Sequence, residues 1–241
     1  MSGAIFGWPA AAGQLFDCFI PDSASAAALA AAMSLARRES HGPRLLLLSG
    51  PPGVGKTHLL AAILGFTRRQ HPSAVAVATT GAEWVADMVS AFRDGRQASV
   101  VTYADGDLLV VDDLQMLAGK DVTQAEVGRL LKAAVDRDGR VACATSGTLT
   151  RLPVLADAVR ALGSARLIEM QRPKRTALRR ILTMRAAAAG MKVSAATLTC
   201  LVDHGRGDVR RAMGALNRLR FENSLRSPPS SLRLRCPSIL L

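Results

Sequence analysis

The sequence has 241 residues, which is enough for one large domain or for a core domain with a small appendage. Hydrophobic residues make up 49% of the chain, a content that supports a buried core and excludes global disorder. No signal segment begins the chain, and no apolar run approaches the roughly 20 residues of a membrane span, so we expect a cytoplasmic protein without a membrane segment. The four cysteines are scattered without metal-ligand spacing, and we expect reduced thiols.

The net charge of +12 comes entirely from the last part of the chain. Residues 1–171 contain 16 Lys/Arg and 16 Asp/Glu, whereas residues 172–241 contain 15 Lys/Arg and 3 Asp/Glu. A basic region beside a neutral body is typical of proteins that bind nucleic acid electrostatically. We therefore expect the basic C-terminal third to bind DNA, including single-stranded DNA. The alternative is a compositional bias toward arginine, and charge alone does not separate the two.

Helical and strand patterns alternate in chain order through the first part of the sequence. Ser23 or Ser25 is placed to cap a first helix, which then runs to about residue 38. Apolar runs and helical spacing then predict a strand at 45–48, a helix at 56–69, a strand at 74–78, a helix at 83–92, a strand at 107–111, a helix at 124–135 and a strand at 140–144. This alternation predicts an α/β fold, a parallel sheet with helices on both faces.

The pattern becomes purely helical after residue 172. Pro173 is placed to begin a helix that Gly190 ends, Ser194 to cap a second helix, and Asp208 to cap a third that runs to about residue 221. We therefore predict a loose N-terminal segment at 1–15, an α/β nucleotide-binding base at 16–171, a small all-helical lid at 172–223 and an unstructured tail at 224–241. The tail prediction depends on its Ser-Pro-Pro-Ser-Ser run.

A complete phosphate-binding motif lies between the first strand and the second helix. The run GPPGVGKT at residues 50–57 matches G-x-x-x-x-G-K-[ST], whose glycines let successive backbone N–H groups point at phosphate oxygens. The lysine is expected to reach the β- and γ-phosphates of ATP, and the threonine hydroxyl to bind Mg²⁺. The predicted nucleotide contacts in this loop are Gly50, Gly53, Val54, Gly55, Lys56, Thr57 and His58.

Two aspartates end the third predicted strand. Asp112 and Asp113 follow the apolar run at 108–111, and the carboxyl ends of strands in open α/β sheets are where ligands bind. We expect Asp112 to orient Mg²⁺ and Asp113 to act as the catalytic carboxylate that polarises an attacking water. The alternative is an acidic turn. A distance of about 55 residues from the phosphate loop is typical of the paired motif and favours the functional interpretation.

Four stretches of the chain resemble the AAA+ domain of the bacterial replication initiator DnaA and its shorter relative Hda. The resemblance spans about residues 16–221. Its two long motifs, the phosphate loop with its helix and the segment after the paired aspartates, are the specific ones. The matching stretches are FDCFI at 16–20, GPPGVGKTHLL at 50–60, DDLQMLAGK at 112–120 with TQAE at 123–126, and GDVRR with GALNRL between 207 and 219.

The resemblance implies an AAA+ P-loop NTPase that binds ATP or ADP with Mg²⁺. It implies that Arg210 is the sensor arginine, which reaches the γ-phosphate from the helical lid. It also places Val85 and Lys120 where the family contacts single-stranded DNA, although Val85 could equally belong to the core. Self-assembly, or assembly with full-length DnaA through AAA+ interfaces, is implied as well.

Two departures from the family pattern bear on hydrolysis. Residues 145–147 read Thr-Ser-Gly where the family has Thr-Ser-Asp, so the sensor carboxylate is missing. The segment that carries the family's arginine finger reads VRALG at 159–163, and neither Arg160 nor Arg166 aligns cleanly with the finger. Because such a finger typically contributes about 10³-fold or more to the rate, we expect ATP hydrolysis that is slow or partner-dependent.

The residues after 221 do not form the helix-turn-helix domain of the initiator, so we expect a short regulatory relative or a shortened initiator. The leading hypothesis is a DnaA-family nucleotide switch in initiation of chromosomal replication or its regulation. The alternatives are an Hda-like adaptor that docks to the sliding clamp or the initiator, and a helicase-loader-type ATPase. Gln14-Leu15-Phe16 resembles the clamp-binding peptide of Hda-type proteins, whereas the simpler interpretation is that Phe16 and Phe19 anchor the N-terminal segment.

Overall fold

A computed structural model of the chain describes residues 16–93, 105–224 and 233–234. Its largest feature is a five-stranded sheet in the order β2-β3-β4-β1-β5, in which all neighbouring strands are parallel. The predicted α/β class with a parallel sheet is therefore confirmed. The strands are β1 (Leu45–Ser49), β2 (Ala76–Thr80), β3 (Leu108–Asp112), β4 (Arg140–Ala144) and β5 (Ala165–Glu169).

Helices follow most of these strands and also form the last part of the chain. The longer helices are α1 (Ala26–Ala36), α2 (Lys56–Gln70), α3 (Gly81–Arg93), α4 (Asp121–Asp136), α5 (Pro153–Arg160), α6 (Arg175–Ala188), α7 (Ala195–Gly205) and α8 (Val209–Ser224). Short 3-10 helices lie at Phe16–Cys18, Leu114–Leu117 and Leu149–Arg151. Among the helices of the described residues, none combines the length and the apolar character that a bilayer crossing requires.

The described residues form two compact units. The first comprises residues 16–19, 26–50 and 56–170, and the second comprises residues 20–25, 51–55 and the chain from 171 onward. The second unit therefore includes two short segments that are distant from it in sequence. One of them, residues 51–55, is the middle of the phosphate-binding motif.

The core of the first unit forms around the three central strands. Every residue of β1, β3 and β4 is buried, so both faces of the sheet are covered there. Leucine and valine fill most of β1 and β3, and β4 contributes Val141, Ala142, Cys143 and Ala144, because each position contacts a covering layer. Sequence patterning did not identify β5, since the residues of this edge strand are only partly buried or exposed and include no apolar run. Pairing with β1 defines it as a strand.

The second unit has its own apolar core, formed by α6, α7 and α8. The caps predicted for α7 and α8 are both present. The Ser194 hydroxyl accepts a hydrogen bond from the Thr197 N–H at 3.1 Å, and the Asp208 carboxylate accepts one from the Arg211 N–H at 3.0 Å. Gly190 follows α6 with a φ of 68°, as a helix-ending glycine requires.

Three sequence-based expectations differ from the structure or fall outside it. Arg233 and Leu234 form a short strand, β7, which pairs in parallel with β6 (Lys192–Val193), whereas the sequence predicted no fold after residue 223. Backbone pairing orders these two residues where side-chain patterning gives no signal. Cys200 is disulfide-bonded, so the expectation of a reduced thiol is wrong there, whereas Cys18 and Cys143 are free. The predicted loose segment at 1–15 lies outside the described residues.

Asp22 joins the short segment at residues 20–25 to the start of the helical part of the second unit. Its carboxylate accepts hydrogen bonds from the Lys174 N–H at 2.9 Å and the Ala24 N–H at 3.0 Å, and from the Ser25 hydroxyl at 3.0 Å. Burial alone would raise the pKa of Asp22, but these hydrogen bonds and the charge of Lys174 lower it below the ordinary value of 3.8. The ionised carboxylate therefore stabilises the folded state.

We expect Asp22→Ala to lower the free energy of unfolding at neutral pH by about 1–2 kcal/mol, because it removes an ionised acceptor of three hydrogen bonds. Since the folded-state pKa is lowered, the stabilisation is complete above the ordinary value of 3.8 and is lost as the pH falls through the folded value. Urea unfolding of the wild type and of Asp22→Ala, at a series of pH values from 7 into the acidic range, measures this difference in unfolding free energy. Asp17→Ala, at an exposed position, is the control, and an equal loss in both variants would contradict the role of Asp22.

Candidate nucleotide-binding site

The phosphate-binding motif connects the end of β1 to the start of α2. Gly50, Gly53 and Gly55 all have positive φ angles, of 135°, 76° and 105°, a backbone region that side chains disfavour. A Cβ atom on Gly50 would lie 2.1 Å from the Met170 carbonyl oxygen, so only glycine fits there. The sequence thus gives the loop the backbone that a phosphate cradle needs, at the N-terminus of a 15-residue helix.

Lys56 is buried at the first position of α2, with 6% of its surface exposed. Its ammonium group donates a hydrogen bond to the Gly50 carbonyl at 2.8 Å. Gly50 also exchanges backbone hydrogen bonds with Gly147 in the segment after β4, at 3.3 and 3.0 Å. A buried cation at the positive end of a helix dipole attracts an anionic ligand. This arrangement therefore suits a bound phosphate.

Thr57 and Asp112 bring a hydroxyl and a carboxylate together beside this lysine. The Thr57 hydroxyl donates to the Asp112 carboxylate at 2.7 Å, and the other carboxylate oxygen accepts the Asp113 N–H at 2.8 Å. Burial raises the pKa of Asp112 from its ordinary value, opposed by these two hydrogen bonds. Oxygen donors of this kind suit Mg²⁺.

Within the described ranges, no group of three or more His, Cys, Asp or Glu residues is arranged to hold a metal ion. This agrees with the usual mode of Mg²⁺ binding, in which one or two protein oxygens act together with substrate phosphates and water. Thr57 and Asp112 are the residues that would hold such an ion. Cys143 on β4 is buried, and burial followed by the charge of Asp112 raises the pKa of its thiol far above the ordinary range, so it is inert.

Asp113 adopts a left-handed backbone conformation directly after β3, with φ 55° and ψ 40°. Its exposed carboxylate accepts a hydrogen bond from the Gln115 side-chain amide at 2.7 Å. The Gln115 carbonyl in turn accepts the Ser146 N–H at 2.8 Å. Sequence reasoning did not single out Gln115, although it lies within the matched DDLQMLAGK stretch. No sequence pattern indicates that it would reach the segment after β4.

Arg210 lies in the first turn of α8, which docks on the middle of the phosphate loop. The Val209 N–H donates to the Gly53 carbonyl at 3.0 Å, and the Asp208 carboxylate lies directly against Gly53. The Arg210 side chain is exposed and makes no hydrogen bond or ion pair with any described residue. A free cation at this position suits an anionic ligand.

The remaining predicted residues lie in varied surroundings. The His58 ring packs edge-on against Phe19 at 5.5 Å, so it supports the N-terminal segment. Val85 is partly buried and packs against the core of the first unit, which is the alternative that the sequence left open. Lys120 is exposed and donates to the Met116 carbonyl at 2.8 Å.

The two candidates for the arginine finger, Arg160 and Arg166, also lie in different surroundings. Arg160 pairs with Asp157 at 3.0 Å and lines a cavity of about 720 Å³ at the ends of β1 and β5. Arg166 is exposed on β5, and no hydrogen bond or ion pair joins it to another described residue. Neither side chain belongs to the group formed by Lys56, Thr57 and Asp112.

The family profile and the curated relatives both indicate the DnaA family. The profile of the bacterial DnaA ATPase domain matches residues 12–166. The chromosomal replication initiator DnaA of Corynebacterium aurimucosum is 29% identical over 221 residues, covering 91% of this chain and 40% of that protein. DnaA of Francisella tularensis subsp. novicida is 29% identical over 218 residues, covering 89% of this chain and 44% of that protein. The chain thus spans less than half the length of these relatives.

Solved structures show the same fold. Domain III of Thermotoga maritima DnaA superposes with a TM-score of 0.82 at 20% identity, covering 92% of this chain and 93% of that one. A DnaA structure bound to AMPPCP and single-stranded DNA superposes with a TM-score of 0.74 at 18% identity, covering 87% of this chain and 65% of that one. The DnaC helicase loader superposes with a TM-score of 0.54 at 16% identity, covering 65% of this chain and 96% of that one.

The close approach of Asp208 to the phosphate loop makes Gly53 sensitive to substitution. A Cβ atom there would lie 1.9 Å from a carboxylate oxygen of Asp208, and the φ of 76° adds backbone strain. We expect Gly53→Ala to lower the free energy of unfolding by about 1–3 kcal/mol and to weaken ATP binding. Gly65→Ala in α2, where a Cβ meets no atom within 4 Å, is the control and should stabilise by about 0.5–1 kcal/mol. Thermal unfolding and nucleotide titration of both variants test these expectations. Equal stability and equal ATP affinity in the two variants would contradict the predicted clash.

Proposed function

The chain belongs to the bacterial DnaA ATPase-domain family, as its motifs predicted, and on this premise we propose that it is an ATP-dependent assembly switch in the initiation of chromosomal replication or its regulation. The observation that carries the proposal is the group formed by the buried Lys56 and Asp112 with the half-buried Thr57, which places a cation beside two side chains whose oxygens suit Mg²⁺. These groups suit a nucleoside triphosphate with its metal ion. The proposed ligands are ATP and ADP with Mg²⁺.

Each residue of the site has a proposed task. The loop N–H groups and Lys56 bind the phosphates, and Thr57 with Asp112 would hold Mg²⁺, which offsets phosphate charge when bound. Asp113 orients a water molecule for attack on the γ-phosphate. Arg210 distinguishes ATP from ADP, because only ATP offers the additional phosphate charge to a free guanidinium. Ligand-dependent docking of α8 would then report the bound nucleotide to a partner.

The surroundings of the candidate site also support slow ATP hydrolysis. The segment after β4 offers the Ser146 and Gly147 backbone and no carboxylate, and Arg160 is held in an ion pair with Asp157. Both observations favour a chain that binds ATP more readily than it hydrolyses it. They also support the second candidate function, an Hda-like adaptor in which ATP mainly stabilises a binding-competent form.

We expect Lys56→Ala to weaken ATP binding by about 10- to 100-fold, since a hydrogen bond between charged groups contributes about 1.5–3 kcal/mol. Lys132→Ala is the matched control, because Lys132 is exposed on α4 and pairs only with surface charge. Calorimetric titration with ATP and Mg²⁺ measures both affinities. If Lys56→Ala binds ATP like the control, the nucleotide-site assignment is wrong. If Lys56→Ala no longer binds ATP but keeps all partner binding, the proposed switch function is wrong.

The proposed DNA contact uses the cations of the second unit. A groove of about 490 Å³ lies there, lined by Ala196, Thr199, Cys200, Asp203, His204, Arg206 and Arg211. Arg206 and Arg211 are exposed, and the Arg211 side chain donates to the His204 ring nitrogen at 3.4 Å. The one carboxylate of the groove, Asp203, pairs with Arg175. The two arginines suit a phosphodiester backbone, so we propose that single-stranded DNA binds here through its phosphates.

Replacing both groove arginines with glutamine should weaken binding of an oligothymidine strand and lower the slope of log K against log salt by about 1.4, since each phosphate contact on a single strand contributes about 0.7. The control is Arg129→Gln with Arg160→Gln, which removes two exposed arginines of the first unit. Fluorescence anisotropy from low to moderate salt gives both slopes. Equal slopes in the two double variants would place the DNA contact outside the groove.

Protein partners complete the proposal. We propose that ATP promotes association with a second copy or with full-length DnaA through AAA+ interfaces. Phe16 packs edge-on against Phe66 at 5.9 Å, which supports an anchoring role for this aromatic residue. Sliding-clamp binding through residues 14–16 is therefore the competing hypothesis. Pull-downs with clamp and with full-length DnaA, each in ATP and in ADP, distinguish these partners.

A further inference from the structure

We propose that Gln115 is a positioning residue that orients the Asp113 carboxylate and connects it to the phosphate loop through the segment after β4. The proposal rests on the proposed function, because it concerns how the site would hydrolyse ATP. All the residues that carry it belong to the first unit. They form one continuous path of hydrogen bonds across the carboxyl ends of β3, β4 and β1.

The orientation of the Gln115 amide is fixed by its two neighbours. Its carbonyl oxygen accepts the Ser146 N–H at 2.8 Å, and its NH₂ group donates to the Asp113 carboxylate at 2.7 Å. A flipped amide would place an oxygen against a carboxylate and an NH₂ group against an N–H, and both contacts would be repulsive. The side chain can therefore serve both neighbours in one orientation only.

The path continues from Ser146 to the phosphate loop. Gly147 exchanges two backbone hydrogen bonds with Gly50, whose carbonyl also accepts the Lys56 ammonium hydrogen bond. A displacement of the loop on binding phosphate therefore acts on the segment that holds Gln115. Through its amide, the same displacement acts on the carboxylate of Asp113.

Asp113 needs such support because its own backbone does not fix it. The residue is exposed, has a left-handed conformation and ends a strand, so its side chain would otherwise sample several rotamers. Gln115 is half-buried and holds one carboxylate oxygen in place. The segment at 145–147 contributes no carboxylate of its own, which leaves this amide as the described side chain that links it to Asp113.

The step that benefits is the attack of water on the γ-phosphorus. A bond forms from the water oxygen to phosphorus, and the bond from phosphorus to the β,γ-bridging oxygen breaks. ADP leaves with the bonding electron pair, and the water proton passes to the Asp113 carboxylate and then to solvent. An oriented carboxylate oxygen accelerates this step and does not alter ATP affinity, because the substrate phosphates bind elsewhere in the site.

Two variants of the full chain separate the two hydrogen bonds. Gln115→Met removes both at similar length, whereas Gln115→Glu keeps an acceptor for the Ser146 N–H and places a carboxylate against Asp113. We expect both to lower the single-turnover rate of ATP hydrolysis by about 10-fold or more, with the ATP dissociation constant unchanged within about threefold. Hydrogen exchange at the Ser146 amide should accelerate in Gln115→Met and remain slow in Gln115→Glu.

Gln124→Met is the matched control, because the buried Gln124 also donates and accepts through its amide but contacts the Leu117 carbonyl and the Leu155 N–H instead. It should leave the rate and Ser146 exchange unchanged in the folded protein. In an Asp113→Asn background, Gln115→Met should cause no further loss of rate, since Gln115 acts through Asp113.

Three results would overturn the proposal: an additive loss in that double variant, an unchanged rate in Gln115→Met, or unchanged Ser146 exchange in Gln115→Met. Failure of the proposed function is distinguishable from these. A wild-type chain that binds no ATP would contradict the nucleotide site itself. A chain that binds ATP without measurable turnover would contradict its hydrolytic part, and Ser146 exchange would then decide whether the Gln115 bridge exists.

Discussion

The close packing around Gly50 is the constraint on which the candidate site depends. Gly50 directly follows strand β1, lies too close to the carbonyl of Met170 for any Cβ atom, and exchanges backbone hydrogen bonds with Gly147 after β4. Its carbonyl also holds the ammonium group of Lys56. A larger residue here would separate β1 from its neighbours at the point where the loop turns toward α2. The phosphate loop therefore has a fixed starting position relative to the sheet.

Burial of charge defines the chemistry that this fixed loop supports. Lys56 and Asp112 are both almost fully buried. The Gly50 carbonyl accepts a hydrogen bond from the lysine ammonium group, and the Thr57 hydroxyl and the Asp113 N–H donate to the aspartate carboxylate. Buried charge is costly in a low-dielectric interior, and a bound phosphate with its cation would lower that cost. The arrangement is complementary to a metal-bound phosphate.

The same site contains strong binding groups and weak hydrolytic ones. The catalytic candidate Asp113 is exposed and depends on Gln115 for its orientation, while the segment after β4 has no carboxylate of its own. In the proposed nucleotide switch this combination would lengthen the life of the ATP-bound form, because the barrier to hydrolysis falls only when further groups stabilise the transition state. The basic second unit, in which α8 docks on Gly53, would give the proposed ATP-bound state a surface for its partners.

The sequence by itself determined the fold class, the family, the phosphate loop and the paired aspartates. These are local signals: apolar runs give buried strands, glycines give positive φ angles, and Ser194 and Asp208 cap the helices that follow them. Only the tertiary structure decided what depends on chain segments meeting. It made an edge strand of residues 165–169, assigned residues 51–55 to the second unit, and packed Val85 against the core. It also brought Gln115 to Ser146, 31 residues away, because parallel strands align their carboxyl ends whatever the intervening sequence.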